Sequence, residues 1–563
     1  MDKNIFLRRK IYWYLTAIIL GTSILFMVFS TLTTRMADTH TFEGYEQAME
    51  SYSEKMEEER LVGRQKACLL GLHRQDLVEV LEFQKFEVLE CETLEELDQD
   101  VELLIVNADC LNDDQTYEQF VTCLNEKRYN VILYGLEKLQ FTQEKMDLLG
   151  IVSVGNNRTY FGIIIYDGFW KNVSTIEKEY SYTALELEIE NGRQVYIAEY
   201  EEIEAGEFPG SMPILYRQVV GESELYIVNG PLMKEFPQGI IRGVCSQLRE
   251  DYLYPIANVS YFVVDSFPVL SDEYKEELNT KYLRGMRLLT EDILLPGVLS
   301  LSSSLKQKPT FIARDYIDEK NNLFPDLLTY VEKEVKHWDG ELGIRVTEEN
   351  QDDWSVWREK YLDTQELYTV SSSMEKYNQP YLGRYISNVS VDTKAVVPVG
   401  KVSEEAVELY VVYDILEKNA KMRLNYLSSV YGYGVSGLGI DMKEVLEHEK
   451  EWSVLVKEAI EKYSPYIYEI ELLEKVTASK AAQRVLEFYL MEPVIVYDKE
   501  CIKVEINYFT GDAEFILRTE KEVERVENGS FEKLADGNWL IRFYEPSGEI
   551  FLKESKLVYP NAE

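Results

Sequence analysis

Apolar positions recur along this chain in three rhythms, and each predicts a different kind of element. The first is one unbroken run: residues 11–34 carry no charge. That length is enough to cross a hydrocarbon core of about 30 Å as a helix. The second begins near Lys66, where short apolar stretches alternate with segments whose apolar residues recur every three or four positions. Residues 67–72, 86–91, 101–106 and 131–136 read as strands, and 76–84 as a helix with Leu77, Val80 and Leu81 on one face. Further helices are predicted near 116–127 and 139–149. Strands this uniformly apolar belong to a parallel sheet covered on both faces, here a flavodoxin-like doubly wound unit over about 62–170.

The third rhythm is strict strand and turn. Residues 184–189 and 194–200 flank Asn191-Gly192, and 214–220 and 224–228 flank Gly221-Glu222, which predicts two hairpins inserted into the first domain. A helix from Pro237 to about 249 leads into a new unit. From 254 to about 491 the alternation resumes. Strands are expected at 259–264, 310–313, 342–346, 367–371, 395–399 and 409–412, and helices at 325–338, 353–362, 441–463 and 472–489. That pattern suits a (β/α) barrel. The tail reads as strands 502–509, 514–518, 539–544 and 549–552, a small β-sandwich.

The expected organisation is therefore a multidomain α/β protein. A cytoplasmic tail (1–10) precedes a transmembrane anchor (11–34) and a stalk helix (35–61), in which Tyr45, Met49, Tyr52 and Met56 form a 4-3-4 seam. A flavodoxin/amidotransferase-like domain with hairpin insertions (62–250), a barrel (251–491) and a β-sandwich cap (492–563) follow. Arg8, Arg9 and Lys10 just before the apolar run keep the N-terminus in the cytoplasm. A cleaved signal peptide would have a shorter apolar region, about 7–15 residues. The chain is expected in the cell membrane, with its bulk outside the cytoplasm.

Charge sharpens the choice of partner. The total is −41; residues 1–34 hold Lys3, Arg8, Arg9 and Lys10 against Asp2, so residues 35–563 carry −44. Such a field excludes nucleic acid as a partner and favours solubility or a cationic polymer. Six cysteines (Cys68, Cys91, Cys110, Cys123, Cys245, Cys501) without a C-x-x-C pair are not a disulfide scaffold and read as buried thiols. The N-x-S/T triplets at Asn157, Asn172, Asn258, Asn388 and Asn528 read as chance.

No catalytic motif is complete. Gly432-x-Gly434-x-x-Gly437 has the dinucleotide spacing, but the helix it needs starts only near Asp441, so it reads as a flexible loop over the barrel mouth. Cys245 follows Gly243-Val but lacks the second glycine of a nucleophile turn, and Ser436 lacks it too. The histidines, His40, His73, His337 and His448, show no ligand spacing. Carboxylates remain, and Asp265 stands out: it ends the apolar strand YFVVD, where a barrel places its active site.

Tyr254-Pro255-Ile-Ala-Asn258 followed by Tyr-Phe-Val-Val-Asp265-Ser-Phe-Pro268 resembles the signature of the domain-of-unknown-function family 2194. That family is related to the NodB-type deacetylase region of Pel exopolysaccharide proteins. Asn229-Gly230-Pro231, Gly340-Glu-Leu-Gly343 and Leu517-Arg518-Thr519 extend the resemblance over about 62–560. It implies an amidotransferase-like first domain, a deacetylase-like barrel and a β-cap in an exopolysaccharide system. Such deacetylases hold a divalent metal with an aspartate and a histidine pair. Here Ser266 stands where a second aspartate is expected, Ile344 and Arg345 replace the histidine pair, and Asp441 lies where a late histidine is expected.

The barrel is thus expected to be a pseudoenzyme of exopolysaccharide assembly or export. No cofactor or metal is called for, and Asp265, Glu341, Arg345 and Asp441 are the candidate substrate-binding residues. An active deacetylase or glycoside hydrolase, and a scaffold for synthase or export subunits, are the alternatives.

Overall fold

Successive strand residues point to opposite faces of a sheet, and the first unit buries both. The computed structural model describes residues 65–71, 74–94, 97, 101–170, 174–200, 212–267, 280–313, 325–344, 386–390, 399–401, 406–411, 413–416, 419–463, 471–498, 501–535 and 537–553. Its first sheet has nine strands: β1 (Gln65–Leu70), β2 (Phe86–Cys91), β3 (Val101–Asn107), β4 (Asn130–Tyr134), β5 (Ile151–Ile165), β6 (Thr175–Ile189), β7 (Gln194–Glu199), β8 (Pro213–Val220) and β9 (Ser223–Val228). The order is β2-β1-β3-β4-β9-β8-β7-β5-β6, parallel as far as β9 and antiparallel beyond it. Ala67, Leu69, Leu103 and Ile105 enter one core, while Cys68, Leu70, Leu104 and Val106 enter another. Of the helices α1 (Gln75–Phe83), α2 (Asp114–Glu126), α3 (Gln143–Leu149) and α4 (Pro237–Cys245), the first and last fill the first core and the middle two the second. Each large apolar side chain so buried contributes roughly 1.5–3 kcal/mol, so both helical layers are needed to hold the sheet.

One expected hairpin is absent. Strands β6 and β7 flank Asn191-Gly192 but do not pair; β5 lies between them. The β5–β6 ribbon is 15 residues long on each side with three register shifts. At its far end Gly150 lies against Gln218 and Arg193. A sequence window around Asn-Gly reads a turn, but it cannot see a third strand entering from outside. The other hairpin, β8–β9, closes with Val220 opposite Ser223 around Gly221 at φ 59°.

The second unit holds β10 (Tyr252–Ile256), β11 (Val259–Asp265), α5 (Leu295–Ser304), β12 (Pro309–Ala313), α6 (Pro325–His337), β13 (Glu341–Ile344), β14 (Ile386–Ser390), β15 (Val399–Lys401), β16 (Ala406–Tyr410), β17 (Tyr413–Asp414), α7 (Ala420–Tyr433), β18 (Val435–Asp441), α8 (Met442–Glu447), α9 (Trp452–Tyr463) and α10 (Ala478–Leu490). Strands β13-β12-β11-β18-β17 form a parallel sheet, and β14-β16-β15 a smaller one. The expected strand 367–371 and helix 353–362 lie outside the described residues.

Here the glycine motif is corrected. It is no loop: Gly434 ends α7 at φ 68° and β18 begins at once. A Cβ on Gly437 would sit 2.4 Å from the Tyr410 carbonyl oxygen, and one on Gly439 2.5 Å from Val411. Glycine is there because neighbouring chain crowds the strand. The expected helix 441–463 is likewise two helices, α8 and α9, on either side of His448.

The tail adds β19 (Glu492–Tyr497), β20 (Cys501–Asn507), β21 (Ala513–Arg518), β22 (Glu522–Glu527), β23 (Gly529–Ala535), β24 (Asn538–Phe543) and β25 (Ser547–Lys553). They build two antiparallel sheets, β10-β21-β24-β23 and β19-β20-β25-β22. Strand β10, inside the expected barrel span, therefore belongs to a sheet of the tail. The first two units meet where Phe83 packs on Tyr433, Phe488 and Tyr489 with ring centroids 4.5, 4.8 and 5.0 Å apart. The Gln84 amide also donates to the Gln238 and Gly432 carbonyls. Among the described residues no helix is long and apolar enough to cross a membrane; the expected tail, anchor and stalk (1–61) lie outside them.

Candidate functional site

Three apolar runs of the second unit end in aspartate: Val263-Val264-Asp265, Val412-Tyr413-Asp414 and Gly439-Ile440-Asp441. Parallel pairing sets Asp265 directly across from Asp441, and Asp414 across from Gly439. The three carboxylates thus share the carboxyl edge of one sheet, the edge at which open α/β sheets and barrels place ligands. Asp265 and Asp414 are buried, and Asp441 is partly exposed. Each is fixed by a backbone N–H just after it: Ser266 donates to Asp265 (2.7 Å), Leu416 to Asp414 (2.7 Å) and Lys443 to Asp441 (2.9 Å). The last bond makes Asp441 the N-cap of α8.

The turn after Asp265 is unusual. Ser266 sits in the left-handed region at φ 57°, a conformation costing a non-glycine residue roughly 1–3 kcal/mol. It is held there from both sides. Phe267 is fully buried against Phe311, and its N–H donates to the Ile312 carbonyl of β12 (2.9 Å). The Ser266 amide is tied to Asp265. The Ser266 hydroxyl is buried with no hydrogen-bond partner among the described residues. That costs about 1–3 kcal/mol, which a bound ligand would remove.

Another sequence candidate, Glu341, falls elsewhere. Glu341 opens β13, and its carboxylate accepts from Thr310 Oγ1 (2.8 Å), the Ser479 N–H (3.0 Å) and the Ser479 hydroxyl. It caps the first turn of α10, whose own Thr477 supplies no side-chain cap. Burial raises its carboxyl above the ordinary value, against these hydrogen bonds, which lower it. Both Glu341 carboxylate oxygens thus accept hydrogen bonds from within the unit. Arg345 lies outside the described residues. Asp414 is the member that sequence reasoning missed, although its apolar run ends as the other two do.

The resemblance to metal-dependent deacetylases is not matched by the donors present. At this sheet edge stand the hydroxyl of Ser266 and the carboxylates of Asp265, Asp414 and Asp441, and Ile344 ends β13. Among the described residues no group of three His, Cys, Asp or Glu side chains is placed to hold a metal ion. His337 and His448 are exposed near helix ends. Cys245 is buried in α4, where burial pushes its thiol up to about 12, which keeps it protonated and inert at neutral pH.

A second concave region lies at the carboxyl ends of β4 and β9 in the first sheet. It is a cavity of about 730 Å³ lined by Arg74, Asn107, Tyr134, Lys138, Asn229 and Lys234, among others. The chain leaves β1, β4 and β9 through Gly71 (φ 91°), Gly135 (φ 79°) and Gly230 (φ 95°). Arg74 pairs with Asp76, donates to the Met233 carbonyl (3.2 Å) and lies over the Tyr134 ring. Asn229 is engaged by the Leu185 backbone, donating to its carbonyl (2.8 Å) and accepting from its N–H (3.1 Å). These polar groups brace the cavity wall.

No family model matches the chain, and no curated protein does. Among solved structures it is similar to a β-galactosidase from Bacillus circulans sp. alkalophilus, with 13% identity over 33% of this chain and 31% of that one at a TM-score of 0.25. It is also similar to an exo-β-1,4-mannosidase from Opitutaceae bacterium strain TAV5, with 13% identity over 32% of this chain and 35% of that one at 0.22. A cytoplasmic protein from Salmonella typhimurium LT2 gives 10% identity over 31% of this chain and 93% of that one at 0.23. The chain spans about a third of the length of the two glycosidases. Likeness this shallow identifies neither a shared fold nor a shared activity.

Proposed function

We propose that this chain is a membrane-anchored, extracytoplasmic factor of exopolysaccharide assembly, whose second parallel sheet holds a cationic amino-sugar polymer without transforming it. In this reading the first unit is amidotransferase-like, the second a deacetylase-like barrel, and the tail a β-sandwich cap. The observation that carries it is the Asp265–Ser266 turn: a buried carboxylate opposite Asp441, beside a strained serine whose hydroxyl has no partner among the described residues. Strain and unused hydrogen-bonding capacity of this kind gather at functional sites. Carboxylates at that edge fit a polymer bearing free amines, and the net charge of −41 draws such a polymer in.

Titration of the full chain in detergent with partially deacetylated amino-sugar oligomers tests this. Saturable binding, weakened about tenfold by Asp265→Asn, is the expected result, equal to about 1.4 kcal/mol. Absence of saturable binding removes the proposal. Acetate or reducing ends released from acetylated oligomers, and lost in Asp265→Ala, would replace it with an enzyme.

A further inference from the structure

Two of the six cysteines meet. Cys68 lies on β1 and Cys91 ends β2, the neighbouring parallel strand, which forms one edge of the nine-stranded sheet. The register pairs Cys68 with Leu89 and Leu70 with Cys91, so the thiols are diagonal neighbours. Both side chains enter the same core. Their sulfurs are 2.8 Å apart. The other four lie elsewhere: Cys110 after β3, where its thiol donates to the Asn107 carbonyl (2.9 Å), Cys123 on α2, Cys245 on α4 and Cys501 on β20.

We infer that Cys68 and Cys91 are a built cross-linking site, which a disulfide-bearing oxidant converts to an intrachain disulfide. A bonded pair of sulfurs stands about 2.05 Å apart, so the sulfurs must approach by less than about 1 Å. Diagonal positions on parallel strands set the Cα atoms roughly 8 Å apart, beyond the usual range of about 4.4–6.8 Å, so the end of the edge strand β2 must also shift toward β1 as the bond forms. Access sets the order of events. Cys68 is wholly buried, while Cys91 is 7% exposed at the end of an edge strand. The Cys91 thiolate attacks one sulfur of the oxidant, and the oxidant's other sulfur leaves as a thiolate. The Cys68 thiolate then attacks the Cys91 sulfur, and the second oxidant thiolate leaves. Two protein thiols are oxidised, one oxidant disulfide is reduced to two thiols, and the two protons pass to the departing sulfurs.

The bond would close the loop that contains α1 and tie the sheet edge to β1, just before the chain turns at Gly71. It would persist in an oxidising compartment. The inference rests on this geometry and is independent of the polysaccharide reading.

The test uses the full chain in detergent, incubated with oxidised glutathione, then denatured and alkylated. Mass spectrometry should count four alkylated cysteines, against six after reduction, and should find one cross-linked peptide pair joining Cys68 to Cys91. Six alkylated cysteines after oxidation, a cross-link between any other two, or glutathione resting on Cys91 without closure would each overturn the inference. Oxidised wild type should also melt several degrees above the reduced form, and Cys91→Ser should abolish that difference. An equal difference in Cys91→Ser would count against it, and the wild-type mass count stands even where the variant fails to fold.

Discussion

Where β1, β4 and β9 end, the chain turns through glycines at positive φ and lines a cavity with Arg74, Lys138 and Lys234. Where β11, β17 and β18 end, it places Asp265, Asp414 and Asp441, and the turn after β11 is made by a serine in the conformation that glycine adopts freely. Both edges are carboxyl ends of parallel strands, so topology alone would nominate both. Side-chain satisfaction separates them. In the first sheet Arg74 and Asn229 are engaged by their neighbours, whereas in the second a buried hydroxyl is unsatisfied among the described residues. A strand end becomes a candidate site through what its polar groups leave unpaired, more than through the cavity above it.

The glycines test this contrast most severely. Gly437 lies inside β18, so Gly437→Val drives a side chain into the Tyr410 carbonyl and Tyr261 and should cost about 3 kcal/mol or more in urea unfolding. Gly71→Ala, at the end of β1, meets the side chain of Cys110 at positive φ and should cost about 1–3 kcal/mol. Equal losses would erase the distinction between a packed strand and a turned edge.

Single polar changes should then separate bracing from binding. Arg74→Ala removes an ion pair and a hydrogen bond and should lower stability by about 1–2 kcal/mol while leaving oligomer affinity unchanged. Asp265→Asn keeps an oxygen for the Ser266 N–H and should change stability by under about 1 kcal/mol while weakening affinity. The reverse pattern, read by thermal unfolding and titration calorimetry, would exchange the roles of the two edges.

The smallest effect lies at the opposite, amino end of β11, where Lys475 forms an isolated β-bridge with Ser260. Burial, with help from Lys306 and against the pull of Glu471, lowers the Lys475 ammonium from 10.5 to about 8. The unfolded chain therefore binds more protons between pH 8 and 10.5, and stability contributed by this group rises across that window. Lys475→Met should be slightly more stable than wild type at neutral pH, with the gain disappearing by about pH 10.5. A gain that persists above that pH would show that packing, and not the charge, was at issue.

Sequence periodicity is a good guide wherever one strand carries one unbroken apolar run. Residues 86–91 and 259–264 match β2 and β11 to within a residue, and the edge position of Asp265 is legible from YFVVD alone. It fails where structure depends on distant chain. Residues 432–437 read as a loop because their glycines look like flexibility until Tyr261 and Tyr410 are seen packed against Gly437. The β6–β7 turn reads as a hairpin because β5 enters from outside the window. The capping role of Glu341 is invisible in sequence because its partners, Thr310 and Ser479, lie far along the chain. Asp414 has the same apolar-then-acid signal as Asp265, carried by a strand of only two residues.

Strand β10 has a consequence for how the molecule is made. Tyr252–Ile256 lies between the two parallel sheets in sequence, yet its partner is Ala513–Arg518. The nine-stranded sheet is complete in sequence once Val228 has emerged from the ribosome, whereas this crossing waits until Ala513–Arg518 has emerged as well. Contacts so distant in sequence form slowly, and until they form the edge of β10 offers unpaired backbone to any neighbouring chain. A truncation before Ala513 strands that edge permanently, so it should damage the region around β10 as much as the part it removes.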